Sequence, residues 1–106
     1  MKIYAVVALA VLLSCQAKAD EGKVAARQWK AKCSSCHGLD GRAQTASGQK
    51  MKIIDFTSAD FKKKPDAELR SAIVDGVDKG DKLMDPFKDE LTPEQIEGLI
   101  KLIKAL

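Results

Sequence analysis

The sequence predicts an all-α fold, and three observations support that prediction. Apolar residues in several segments recur at spacings of three and four, which is the period of an amphipathic helix. The last segment opens with Thr92-Pro93-Glu94-Gln95, a capping box with proline at the first helical position. No stretch alternates apolar and polar residues over the length of a half-buried strand. A chain of 106 residues has room for one small domain.

Residues 1–19 are predicted to be a cleaved signal peptide. A positive charge at Lys2 precedes an unbroken apolar run over residues 3–13, which is too short to span a bilayer as a helix. Ala17-Lys18-Ala19 then matches the small-x-small pattern that precedes a cleavage site. We therefore expect residues 20–106 to form the mature, exported domain.

Cys15 leaves a second possibility for this leader. The segment Leu12-Leu13-Ser14-Cys15 loosely resembles a lipoprotein processing site, although Leu13 fits that pattern poorly. We expect Cys15 to be removed with the signal peptide, and a lipid anchor through Cys15 is the alternative.

The predicted mature domain carries little net charge. Removing Lys2 and Lys18 from the 18 basic residues leaves 16, against 15 acidic residues. Such a domain has no strong field to attract nucleic acid or an anionic membrane. Residues 20–106 also contain no run long and apolar enough to cross a membrane. We therefore expect neither a nucleic-acid partner nor an integral membrane segment in the mature chain.

The first predicted helix covers residues 21–33 and leads into a chemical motif. Ala25, Trp29 and Cys33 are spaced by four and form its apolar stripe. The segment Cys33-Ser34-Ser35-Cys36-His37 is the c-type haem attachment pattern. On a helical turn the two thiols project from one face, where each can add to one haem vinyl group. The adjacent histidine then offers a ring nitrogen to the iron.

Other uses of two cysteines at this spacing fit the sequence less well. A zinc site needs four ligands, and the chain has three cysteines and one histidine. His37 also follows Cys36 too closely for ordinary zinc-site spacing. A thioredoxin-like redox pair needs a βαβ setting, for which no strands are predicted. A disulfide between Cys33 and Cys36 would leave His37 without a role, so haem attachment is the preferred interpretation.

The segments after the motif are predicted to be loops and short helices. Residues 38–49 form a polar loop, and one capped helical turn covers residues 57–61. Pro65 begins the next helix, and Gly76 ends it as a C-cap. A further loop over residues 81–90 separates this helix from the last one.

The run Lys62-Lys63-Lys64 concentrates positive charge between two of these segments. Charge runs of this kind are usually solvated faces, and that is the preferred interpretation here. Docking of a partner is the alternative.

A second axial ligand would come from one of the two methionines in residues 20–106, because the chain has no second histidine. Methionine sulfur binds haem iron and raises its potential, since soft sulfur favours Fe(II). Met84 lies in the loop before Pro86, which restricts the backbone there. Met51 lies beside apolar residues, where it would serve as core packing. The spacing favours Met84 and leaves Met51 as the alternative.

Over nearly the whole predicted mature domain, the sequence resembles a small bacterial class I cytochrome c. The resemblance rests on Cys33-Ser34-Ser35-Cys36-His37-Gly38, Asp55-Phe56-Thr57, the helix ending at Gly76, Met84-Asp85-Pro86-Phe87 and Leu91-Thr92-Pro93-Glu94. It implies four to five short helices wrapped round one haem c, with the N- and C-terminal helices crossing. It also implies covalent attachment through Cys33 and Cys36, with His37 and Met84 as axial ligands of the iron.

Three positions depart from the pattern of that family. Ala25 stands where the helix crossing often has glycine, and Leu102 stands where the last helix often has an aromatic residue. Gly48-Gln49-Lys50-Met51 replaces a Gly-Pro segment whose proline carbonyl commonly holds the proximal histidine. The sequence therefore leaves open which carbonyl orients His37.

The resemblance implies a soluble periplasmic carrier that shuttles single electrons between redox partner proteins. We expect a monomer and no enzymatic activity, because no catalytic base or nucleophile constellation is visible. The alternative is a haem-based sensor or binder of small gases, in which a distal methionine is displaced by the gas.

Overall fold

The structure, a computed structural model, describes residues 20–106. The predicted signal peptide, its Ala17-Lys18-Ala19 cleavage pattern and Cys15 lie outside the described residues. Within them, no helix is both long enough and apolar enough to span a bilayer.

The described part is mostly helical, which confirms the all-α prediction. Residues 20–28 are α-helical (α1) and continue directly into a π-helical turn, Trp29–Cys33. The other helices are α2 (Ser34–His37), α3 (Ala46–Met51), α4 (Ala59–Lys62), α5 (Asp66–Asp75) and α6 (Pro93–Lys104). Two short antiparallel strands, β1 (Val77–Lys79) and β2 (Lys82–Met84), lie between α5 and α6.

Residues with hydroxyl side chains form the N-caps of three helices. The side chains of Thr45, Ser58 and Thr92 each accept a hydrogen bond from a backbone N–H in the first turn of α3, α4 and α6. The predicted capping box at Thr92 is confirmed, because the Gln95 side chain also accepts from the Thr92 N–H at 2.9 Å. These caps satisfy N–H groups that short helices otherwise leave unpaired.

The core is built around α6. Its residues Ile96, Leu99, Ile100 and Ile103 are buried, and Leu99 and Ile100 are only 1% exposed. Burying each of these side chains fully stabilises the fold by about 1.5–3 kcal/mol relative to exposure. The remaining buried side chains of this cluster come from the π-helical turn, α4, α5 and the segment before α6, and they are Trp29, Phe61, Leu69, Ile73 and Leu91.

The crossing of α1 and α6 is made by two small residues. Ala25 is buried in α1, and a Cβ placed on Gly98 of α6 would lie 3.5 Å from the Ala25 Cβ. The space that a glycine in α1 would provide is therefore provided by Gly98 on the opposite helix. Leu102 is half-buried and packs against the core from the same helix, in the position where an aromatic residue is common.

The hairpin β1–β2 differs from the predicted loop. Lys79 pairs with Lys82, so Gly80 and Asp81 alone form the turn, and Gly80 has a φ of 65°. Glycine readily adopts this conformation, and Gly-Asp between two short segments is a two-residue hairpin signal. Strands of three residues are too short to show alternation, which is why the pattern analysis missed them.

Two lysines of the Lys62-Lys63-Lys64 run have structural partners. Lys62 Nζ donates to the Lys104 carbonyl oxygen at 2.8 Å and to a Leu106 oxygen at 2.5 Å. Lys64 pairs with Glu68 at 3.1 Å, and Lys104 Nζ donates to the Lys64 carbonyl. A cation at a helix C-terminus offsets the unpaired carbonyls there. Lys62 therefore stabilises the end of α6, and the run is not simply a solvated face.

An ion pair joins α5 to α6. Arg70 Nε lies 2.5 Å and Nη2 lies 3.0 Å from the two carboxylate oxygens of Glu97. The hydrogen bond from Arg70 holds the pKa of Glu97 below its ordinary value. Both side chains are more than 40% exposed, so water screens the pair and its contribution to stability is small beside that of the core.

We predict that Gly98→Ala stabilises the protein. The new methyl group meets the Ala25 Cβ at an ordinary contact distance, and alanine favours the helix over glycine by about 0.5–1 kcal/mol. Thermal unfolding of the haem-loaded protein should show a higher midpoint for Gly98→Ala than for the wild type. Gly98→Leu overfills the crossing and should lower it, and a fall with alanine as well would contradict the packing described here.

Candidate haem site

The first helix changes from α-helical to π-helical geometry where it enters the motif. In the π-helical turn Trp29–Cys33, the Ser34 N–H donates to the Trp29 carbonyl five residues back, and the Ser34 hydroxyl donates to the Lys30 carbonyl at 2.7 Å. Single π turns inside helices frequently occur at functional sites. This turn keeps Trp29 in the core at 4% exposure while Cys33, the first residue of the motif, is half-buried against that core.

The backbone of the motif is held by the loop that follows it. The Ala43 N–H donates to the His37 carbonyl at 2.8 Å, and the Thr45 hydroxyl donates to the Cys36 carbonyl at 2.6 Å. Trp29 Nε1 donates to the Leu39 carbonyl at 3.2 Å. The last carbonyls of α2 would otherwise be unpaired at the end of a four-residue helix, so the loop fixes the direction of the motif.

Gly48 lets α3 pack directly on the motif. A Cβ at this position would overlap the Ala43 carbonyl oxygen and lie 2.9 Å from the Cys36 carbonyl oxygen. Only a residue without a side chain allows this approach of two backbones. The segment Gly48-Gln49-Lys50-Met51 lacks the proline of the family pattern, but it has the glycine that this packing requires.

The His37 imidazole is suited to bind iron. Burial lowers its pKa, so the ring is neutral at physiological pH, which is the form that binds a metal. Its Nδ1 is buried without a hydrogen-bond partner among residues 20–106. Its ring stacks on that of Phe56, with centroids 4.6 Å apart and an angle of 26° between the planes.

The two cysteines are free and half-buried. Burial raises the pKa of the Cys33 thiol to about 11, so that thiol is protonated near neutral pH. The described residues contain no group of three or more His, Cys, Asp and Glu side chains arranged for a metal ion. Two thiols that can each form a thioether bond, followed by one neutral imidazole that can bind iron, are the groups that a covalently attached haem requires.

Met84 lies at the end of β2, in a segment that backbone contacts hold in place. A Cβ on Gly76, whose φ is 74°, would lie 2.5 Å from the Met84 carbonyl oxygen and 2.8 Å from the Pro86 nitrogen. The Phe87 N–H donates to the Ile73 carbonyl at 2.8 Å. Gly76 was predicted to end α5, and it does, but its close approach to the Met84 segment was not predicted.

The structure brings Met51 to the same hairpin. Met51 ends α3, and its sulfur lies 3.5 Å from the Leu83 nitrogen, next to Met84 in the chain. Met51 is half-buried rather than fully buried. Met84 is also half-buried, and it packs against the same core cluster as Cys33.

Two contributors to the site had no assigned role in the sequence analysis. Thr45 links the cap of α3 to the Cys36 carbonyl, and Phe56 stacks on His37. Thr45 precedes a helix of only six residues, which gave little periodic signal. Phe56 lies in one of the segments that resemble the class I cytochromes c, but a sequence alone does not show that its ring packs on the His37 ring.

Comparisons with known proteins agree with this chemistry. Residues 19–103 match the family described as cytochrome C oxidase, cbb3-type, subunit III. The fold is similar to the solved structure of the KustC0563 c-type cytochrome, with a TM-score of 0.67 and 28% sequence identity. That similarity covers 76% of this chain and 93% of the other chain. A comparison with curated proteins finds no match.

We predict that Gly48→Ala destabilises the protein. The added methyl group overlaps a carbonyl oxygen and forces α3 away from the motif, at a cost of about 1–3 kcal/mol. Thermal unfolding and the yield of covalently attached haem should both fall. Gly98→Ala is the matched control, because the same substitution there meets the Ala25 Cβ at an ordinary contact distance of 3.5 Å. A Gly48→Ala protein that melts at the wild-type temperature would show that the two backbones do not pack this closely.

Proposed function

Since the chain belongs to the cbb3-type cytochrome c family and is a small class I cytochrome c, we propose that it is a soluble periplasmic carrier of single electrons. The observation that carries this proposal is the neutral, half-buried His37 directly after the two thiols of Cys33 and Cys36. In this proposal residues 1–19 direct export and are removed, and residues 20–106 form the mature monomer.

The roles of the side chains follow from their chemistry. The Cys33 and Cys36 thiols would hold one haem c through two thioether bonds, and His37 would be the proximal ligand. Met84 would supply the distal sulfur. A bound haem supplies the Fe(III)/Fe(II) couple, and the residues around it set burial and electrostatics.

The contacts at Met84 support a carrier over a gas sensor. Electron transfer needs both axial ligands to stay in place, whereas a sensor needs a distal ligand that leaves easily. Gly76 and Ile73 hold the Met84 segment through backbone contacts, which opposes its displacement. We also propose that the protein exchanges electrons with redox partner proteins and does not itself catalyse a reaction.

The optical spectrum of the purified holoprotein tests the proposal. A carrier with histidine and methionine ligands should show a low-spin spectrum and a weak sulfur-to-iron charge-transfer band when oxidised. Its haem should stay attached under denaturing conditions, and a redox titration should show one reversible one-electron step. High-spin bands and rapid CO binding at neutral pH would instead support the gas sensor.

We predict opposite outcomes for the two methionines. Met84→Ala should keep the haem attached, lose the sulfur band and lower the midpoint potential, because a harder ligand favours Fe(III). Met51→Ala should keep the sulfur band. Its cost in stability should be less than the about 2–5 kcal/mol expected for a fully buried methionine, since Met51 is half-buried.

Oxidised spectra, midpoint potentials and thermal unfolding of both variants provide the measurement. Each methionine serves as the control for the other, because both lie at the same hairpin. Loss of the sulfur band in Met51→Ala, with the band kept in Met84→Ala, would reverse the ligand assignment.

A further inference from the structure

We infer that stacking on Phe56, rather than a hydrogen bond to Nδ1, sets the plane of the His37 imidazole. Phe56 is then a positioning residue for the proximal ligand. This inference rests on the proposed function, because it takes His37 as the ligand of a haem iron.

The first observation is the unpartnered Nδ1. It is buried and has no hydrogen-bond partner among the described residues. Metal-binding histidines generally donate the other ring N–H to a carbonyl, a carboxylate or water, which fixes their orientation. In this chain the carbonyls of Cys36 and His37 accept from Thr45 and Ala43, and the segment after Gly48 lacks the family's proline. Among residues 20–106, no acceptor therefore holds the ring through Nδ1.

The second observation is a row of rings that ends at His37. His37 stacks on Phe56 at 4.6 Å and 26°, and Phe56 stacks on Phe61 at 4.3 Å and 25°. Trp29 approaches His37 at 6.0 Å with a tilt of 34°. Nearly parallel rings at these distances are an attractive arrangement.

The row is fixed at its inner end. Phe61 is 3% exposed, and Trp29 is 4% exposed and hydrogen-bonded to the Leu39 carbonyl. The Phe56 N–H donates to the Gly41 carbonyl at 2.9 Å, which holds the backbone of the middle ring. Rotating the imidazole about its bond to Cβ would turn its edge into the face of Phe56. The stack therefore resists that rotation.

The missing hydrogen bond also has an electronic consequence. Donation from Nδ1 to an acceptor makes the imidazole a more basic ligand. An imidazole without such an acceptor gives the iron less electron density and favours Fe(II). The stack therefore fixes the orientation of the ring without increasing its donor strength.

The test is the proton NMR spectrum of the oxidised holoprotein. The order and spread of the shifted haem methyl resonances depend on the plane of the axial imidazole. Phe56→Leu keeps the apolar character but removes the planar face, and it should change that order. Phe56→Tyr restores the ring and should return the wild-type order. Phe61→Leu is the matched comparison: its ring is one step removed from His37, so it should shift the methyl resonances less than Phe56→Leu does.

A wild-type methyl order in Phe56→Leu would overturn the inference. A second measurement needs no variant: in reduced protein with 15N-labelled histidine, the Nδ1–H should lack the downfield shift of a hydrogen-bonded proton. A strongly hydrogen-bonded Nδ1–H would overturn the inference even if Phe56→Leu failed to fold.

These outcomes are distinct from a failure of the proposed function. That failure would appear as wild-type protein without covalent haem or without a low-spin spectrum. In contrast, the inference alone fails when the haem and the sulfur band are present and the methyl order does not respond to Phe56. The sulfur band in each variant shows whether the distal ligand has stayed in place.

Discussion

The close approach of α3 to the end of α2 is the contact on which the site depends. A helical segment as short as Ser34–His37 is not stable by itself, because a single turn has a high nucleation cost and few internal hydrogen bonds. Its carbonyls are instead paired by Ala43 and Thr45, and Gly48 allows the second helix to lie against them. These contacts therefore hold the two thiols and the imidazole in a common frame.

The core and the site share the same aromatic side chains. Trp29 belongs to the buried cluster around α6 and also donates to the loop after the motif. Phe61 is buried in that cluster and begins the row of rings that ends at His37. Damage to the core should consequently reach His37, even for substitutions far from the motif in sequence.

The sequence alone was enough to locate the motif of the candidate site, but it showed only part of the structure that supports this motif. The haem attachment pattern and the capping box are local signals of fixed spacing, and each needs only a few adjacent residues. Close backbone approaches are different, because the sequence does not show which atoms face Gly48 or Gly76. The hairpin was missed because each strand has three residues, and the lysine run was misjudged because its partner is the distant end of α6.

Main-chain contacts hold the Met84 segment in place, whereas the side chains on the surface of the hairpin are free to vary. Gly76 lies close to the Met84 carbonyl, and the Phe87 N–H donates to the Ile73 carbonyl, so main-chain contacts hold the backbone of this segment. The charged residues there, Lys79, Asp81, Lys82 and Asp85, are exposed. In the proposed carrier, substitutions at these exposed residues would alter which redox partner the face attracts and would leave the backbone contacts around Met84 unchanged, so recognition and redox tuning could evolve independently.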